Sequence, residues 1–142
     1  MVGAPGSGKS AKAREMANQT GALIVCPDTL RENYSTDDSN IFAIAREIIA
    51  FTLKNGKRDV ILDCTNTSRK YRAEMIAAGK PHAKKVVCVH MDTPLEECLR
   101  RHHDRLLILE KPTLTDERIK EMYLRLQENL PTQEEFDEII LV

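Results

Sequence analysis

Short apolar runs alternate with amphipathic stretches along this chain. Ala22-Leu23-Ile24-Val25 follows Gly21 and predicts a buried strand, and Val60-Ile61-Leu62, Val86 to Val89 and Ile139 to Val142 predict three more. Between them the apolar period changes to helical. Within Asn40 to Leu53, residues Ile41, Ile44, Ala45, Ile48, Ile49 and Thr52 share one face, and Asn55-Gly56 supplies a stop. Ser68 to Ala78 reads as a helix capped by Ser68 and ended by Gly79-Lys80-Pro81. Pro94 to Arg105 opens with proline in its first turn. Thr115 to Leu130 has a capping threonine, Asp116 and Glu117 suited to the N-terminal dipole, and a face of Ile119, Met122, Tyr123 and Leu126. Strands separated by helices predict parallel pairing with helices on both faces, an α/β fold of about four or five strands. No repeat or linker interrupts the pattern, so residues 1–142 are expected to form one domain.

Composition narrows the function classes. With 42% hydrophobic and 30% charged residues, the chain has the balance of a folded globular protein. Lys+Arg number 21 against 22 Asp+Glu, a net charge of -1, which excludes a globally basic nucleic-acid coat. No apolar run reaches the roughly 18 residues of a membrane span. Met1 leads almost directly into a glycine-rich stretch with no signal-peptide pattern, and a cytoplasmic location is expected. Cys26, Cys64, Cys88 and Cys98 form no C-x-x-C pair and read as free thiols of a reducing compartment. The aromatic fraction of 4%, with no tryptophan, weighs against a stacking platform for bases.

Gly3-Ala4-Pro5-Gly6-Ser7-Gly8-Lys9-Ser10 matches G-x-x-x-x-G-K-[ST] at every fixed position. In such a loop, Gly6, Ser7 and Gly8 turn successive backbone N–H groups toward phosphate oxygens. A helix from Lys9 to about Ala17 adds its N-terminal dipole. Lys9 reaches β- and γ-phosphates and Ser10 offers a hydroxyl to Mg²⁺, so ATP and Mg²⁺ are the expected cofactors. Only Met1 and Val2 precede the loop, where a buried strand of about five residues is usual. Either that strand is very short or it begins upstream of Met1; it should be central in the sheet.

Two acidic residues end predicted strands, at the carboxyl edge where open parallel sheets bind ligands. Asp63 follows Leu62 and either helps hold Mg²⁺ or caps a turn. Asp28 follows Val25 and Cys26-Pro27. It either accepts the proton of an attacking hydroxyl or caps the helix beginning near Thr29. Arg31 lies one helical turn on and suits an anionic group beside that hydroxyl, or a plain surface ion pair. Arg101 and Arg105, four apart, share a helix face.

The order of the phosphate loop, Asp28-x-x-Arg31, Asp63-x-Thr65-Asn66 and Arg101-x-x-x-Arg105 resembles the phage polynucleotide 5′-kinases and the kinase domains of polynucleotide kinase-phosphatases. The resemblance covers nearly the whole chain, and Pro94 to Arg101 looks like the family's helix into the lid. It implies a P-loop, nucleoside-monophosphate-kinase-like fold with a helical lid at about 101–115. It implies transfer of the γ-phosphoryl of ATP to the 5′-hydroxyl of a DNA or RNA end. Asp28 would then match the general base, Arg31 the residue holding the acceptor phosphate, and Asp63 and Thr65 residues near acceptor and metal. Arg105 would match the lid arginine at the transferring group, with Arg101 beside it on the nucleotide. An arginine there fits the charge that spreads over the equatorial oxygens.

Besides the nearly missing first strand, two departures from the family stand out. Leu106-Leu107-Ile108-Leu109 is more apolar than a lid over phosphates and would pack on the sheet, under the adenine, or on another subunit of a homo-oligomer. No D-x-D-G-T-like motif is present, so 3′-phosphatase activity is not expected. His102-His103 points two rings about 100° apart and forms no metal pair. Arg69, Lys70 and Arg72, with Lys80, Lys84 and Lys85, read as a solvated basic face or as a guide for a nucleic-acid strand. A small-molecule hydroxyl kinase and an ATP-binding module without turnover remain the alternatives.

Overall fold

The computed structural model describes residues 1–34, 37–56, 58–108 and 114–142. In chain order the elements are α1 (Lys9–Thr20), β1 (Leu23–Val25), α2 (Pro27–Asn33), α3 (Asp38–Asn55), β2 (Val60–Leu62), α4 (Arg69–Gly79), β3 (Val87–His90), α5 (Leu95–Leu106), α6 (Asp116–Glu128) and β4 (Glu138–Leu141). Every helix and strand read from the pattern is present, with ends shifted by a few residues. The Asp37 carboxylate starts α3 by accepting from Asn40 N at 3.0 Å, and the Thr115 hydroxyl starts α6 by accepting from Arg118 N at 3.2 Å. Ser68 precedes α4 as expected but makes no side-chain cap bond.

The strands pair in parallel as β1–β2 and β3–β4. Met1 to Gly3 joins the two pairs. Met1 N donates to Leu62 O at 2.9 Å on one side; Val2 N donates to Val89 O, and Met91 N to Val2 O, both at 2.8 Å on the other. The expected first strand is thus a single parallel bridge, Val2 to His90, in the central place anticipated for it.

Side chains alternate across this arrangement with period two. Ile24, Ile61 and Val89 pack with Ala13 and Met16 of α1 on one face. Leu23, Val25, Val60 and Leu62 pack with Ala45, Ile49 and Met75 of α3 and α4 on the other. Cys88 and Val2 meet Leu126 and Phe136. A cavity of about 430 Å³ is lined by Val60 and Ile61 of β2, Val87 and Cys88 of β3, and Met16 and Met75. Parallel strands send all their carboxyl ends to one edge. The phosphate loop, Asp28, Asp63 and the start of α5 therefore gather there.

Candidate functional site

The phosphate loop is built from backbone. Gly6 and Gly8 sit at φ 85° and 96°, a region that penalises any residue with a Cβ. Gly6 has a second reason to be glycine. A Cβ there would stand 2.4 Å from the carbonyl oxygen of Cys98, so α5 rests directly on the loop. Ser7 is fully buried; its N–H donates to Ala4 O at 3.1 Å and its carbonyl accepts from the Thr93 hydroxyl at 3.0 Å.

Lys9 is the first residue of α1 and only 7% exposed. Its ammonium donates to Ala4 O at 2.7 Å and to Ser7 Oγ at 3.3 Å. Burial pulls its pKa down from 10.5 to about 8, against the opposing pull of Asp63; the nearby Arg105 cation also lowers it. These couplings place Asp63 and Arg105 within electrostatic reach of the loop. Arg101 is closer: its Nη1 stands 3.4 Å from where a Gly8 Cβ would be. Glu97 holds it there by accepting from Arg101 Nε at 2.6 Å, and also accepts from Arg100. The two guanidiniums drive the Glu97 carboxyl down to about 2.

Asp63 is buried and leaves the end of β2 with its N–H bonded to Val25 O at 2.9 Å. Thr65 follows, its carbonyl accepting from Gly3 N at 3.1 Å. Ser10 lies in the exposed first turn of α1. The Ser10 hydroxyl and the Asp63 carboxylate are hard oxygen donors of the kind Mg²⁺ takes. Among the described residues no cluster of three or more His, Cys, Asp or Glu could hold a metal alone. The donor set therefore fits a Mg²⁺ that draws its remaining ligands from phosphates and water.

Asp28 occupies the first turn of α2, with Arg31 one turn on as the spacing predicts. Arg31 Nη1 donates to Asp28 at 2.5 Å and Nε to Asp38 of α3 at 2.7 Å. The Asp38 bond is the main cause of a raised Arg31 pKa. The guanidinium also lies over the Phe42 ring at 5.7 Å, and Phe42 in turn stacks on Tyr71 of α4 with centroids 6.3 Å apart. A small aromatic share thus still yields a stacked pair beside Arg31. Unlike Lys9, these groups face water: the Asp28 side chain is 87% exposed.

Several expectations need correction. Arg72 does not belong to a solvated basic face. It is 2% exposed and forms a two-pronged ion pair with Glu135, at 2.8 and 2.9 Å. Only long-range packing decides this, because its partner lies 63 positions away. Leu107 and Ile108 do not pack on the sheet; both are more than 80% exposed. Residues 109–113, which include Leu109 and part of the expected lid at about 101–115, lie outside the described residues. Two contacts carried no sequence signal: Thr93 on the loop carbonyl, and the Cys98 backbone on Gly6.

The AAA domain family model matches residues 1–129. Among solved structures, Kti12 of Chaetomium thermophilum in complex with ADP-AlF3 is similar with TM-score 0.71 at 17% identity, over 99% of this chain and 86% of that one. A gluconokinase from Sinorhizobium meliloti 1021 is similar with TM-score 0.62 at 18% identity, over 99% and 78% respectively. No curated protein matches the chain. The fold is therefore the α/β P-loop kinase-like one expected from the motif and strand order.

Proposed function

Taking as premise that the chain belongs to the AAA domain family, we propose that it is an ATP-dependent phosphotransferase acting on the hydroxyl of a small anionic acceptor. The observation that carries this reading is the Asp28–Arg31 pair, held by α2 at the sheet edge that also bears the phosphate loop. A carboxylate beside a guanidinium suits a hydroxyl next to a negative group.

In this reading the loop amides and Lys9 hold the β- and γ-phosphates. Ser10 and Asp63 would hold Mg²⁺, which would supply positive charge against the phosphates. Asp28 takes the acceptor's proton as its oxygen bonds to the γ-phosphorus. The bond to the β-phosphate oxygen breaks and ADP leaves. Arg31 holds the acceptor's anionic group and Thr65 lies beside it. Arg101 and Arg105 approach the phosphates from α5 and offset the charge that spreads in the transition state.

The fold likeness to a gluconokinase supports a small acceptor. A second reading, transfer to the 5′-hydroxyl of a polynucleotide, is favoured by Asp28-x-x-Arg31 and Asp63-x-Thr65-Asn66 and by the Phe42–Tyr71 stack beside Arg31. One assay separates them. ADP release from Mg²⁺-ATP is followed with gluconate, a nucleoside, a 5′-hydroxyl oligonucleotide and its 5′-phosphorylated counterpart. Release with a small acceptor supports the proposal. Release with only the 5′-hydroxyl strand establishes the second reading. ATP binding with no acceptor-dependent release would leave a nucleotide-binding module and sink both.

A further inference from the structure

Among the described residues, Asn66 alone combines a Cβ with a positive φ, 50°. A residue of that kind stays in the left-handed region only where its surroundings hold it. Three things hold Asn66. Its side-chain amide donates to Met1 O at 2.8 Å, inside the segment that leads into the phosphate loop. Its carbonyl accepts from Arg72 Nη1 at 2.9 Å. The preceding residue, Thr65, is tied to Gly3.

Arg72 turns its other two nitrogens, Nε and Nη2, on Glu135, which lies between α6 and β4. Glu135 is fixed in turn by Thr132 N at 3.3 Å. A buried ion pair is a poor way to add stability, because apolar side chains of similar size serve as well. What a guanidinium fork adds is direction: two arms locked on one carboxylate aim the third at one carbonyl.

We propose that Arg72 and Glu135 are a positioning pair, holding Asn66 in its left-handed conformation and so setting Asp63 and Thr65 against the phosphate loop. Arg72 touches no reacting atom; it acts through Asn66. The kinetic arm of the test rests on the proposed phosphotransferase reading, and the binding arm does not.

The experiment uses Arg72→Met/Glu135→Leu, which leaves no buried charge unpaired and leaves the exposed Arg69, the other partner of Glu135, on Glu134, and Arg72→Lys, which keeps the charge but cannot serve the carboxylate fork and the carbonyl together. ATP affinity is measured by calorimetry with Mg²⁺ and with EDTA, alongside melting temperature and ADP release. Both variants should keep the Mg²⁺-free affinity within about twofold. They should lose about fivefold or more of the gain that Mg²⁺ confers, with kcat falling about tenfold and KM for Mg²⁺-ATP rising in step with the lost affinity. An Mg²⁺ gain preserved within twofold in Arg72→Lys overturns the proposal. So does equal loss of Mg²⁺-free affinity and melting temperature, which marks a purely structural pair, and so does a wild type whose affinity ignores Mg²⁺. If the double variant does not fold, Arg72→Lys decides. A wild type that binds Mg²⁺-ATP but releases no ADP removes the phosphotransferase reading and leaves the binding arm to judge this one.

Discussion

The two sides of the candidate site are built from different material. On the phosphate-loop side nearly every contact is backbone: Ser7 N on Ala4, Thr93 on the Ser7 carbonyl, the Cys98 carbonyl against Gly6. Lys9, the charged side chain of the loop motif itself, is buried and bonded within the loop. On the Asp28 side the contacts are charged side chains in water, with Arg31 shared between two carboxylates. Backbone geometry tolerates little change, whereas exposed ion pairs contribute about 0–1 kcal/mol and re-form easily. The first side is therefore suited to a constant ligand. Under the proposed phosphotransferase reading, the second is where the choice of acceptor would be open to adjustment.

The contrast can be broken most severely at Gly6. Gly6→Ala puts a Cβ in a left-handed position and against the Cys98 carbonyl. Strain of about 1–3 kcal/mol plus the clash should abolish nucleotide binding and lower the melting temperature. Calorimetry and a thermal melt check both; a variant that binds ATP normally would show that α5 yields at no cost.

Lys9→Ala comes next. It should lower kcat/KM on the order of 10²–10³-fold, through both affinity and rate. The same residue sets a pH dependence. Its folded pKa of about 8 lies below the ordinary 10.5, so the buried ammonium opposes folding at low pH. Relative to Lys9→Met, the stability of the wild type should rise as pH climbs from about 8 to 10.5 and be flat below 8. Nucleotide affinity should run the other way, falling about tenfold per pH unit above 8 as the cation is lost, and Lys9→Met should erase that slope.

On the exposed side, Asp28→Ala should cost turnover on the order of 10²-fold while ATP affinity and melting temperature stay put. Retained turnover would remove Asp28 as the base. The smallest effect is expected at Asp38→Ala. It releases one arm of Arg31, shifts stability by less than about 1 kcal/mol, and shows mainly as a raised KM for the acceptor.

The same division explains what was legible in the sequence. The phosphate loop is written in consecutive residues, because its geometry is local and glycine at 6 and 8 reports it. The parallel strands and the edge position of Asp63 follow from apolar runs separated by helices, whose ends fall on one edge. Asp28-x-x-Arg31 was readable as one helical turn. Its second carboxylate, Asp38, was not, since that pairing depends on how α2 packs on α3. Arg72 looked like its basic neighbours for the same reason: burial is decided by Glu135, far along the chain, and no local pattern announces it. The first strand was read correctly as central but reduced to one bridge.

The contact between Gly6 and Cys98 has a mechanical meaning. Most neighbouring elements touch through side chains, whose rotamers absorb small displacements. Here two main chains meet with nothing between them. The helix carrying Arg101 and Arg105 therefore has no side-chain cushion through which to slide along the loop. A joint of this kind would act as a fulcrum: rotation of α5 about it would swing the two arginines toward or away from a nucleotide's phosphates without changing the spacing between helix and loop at its base.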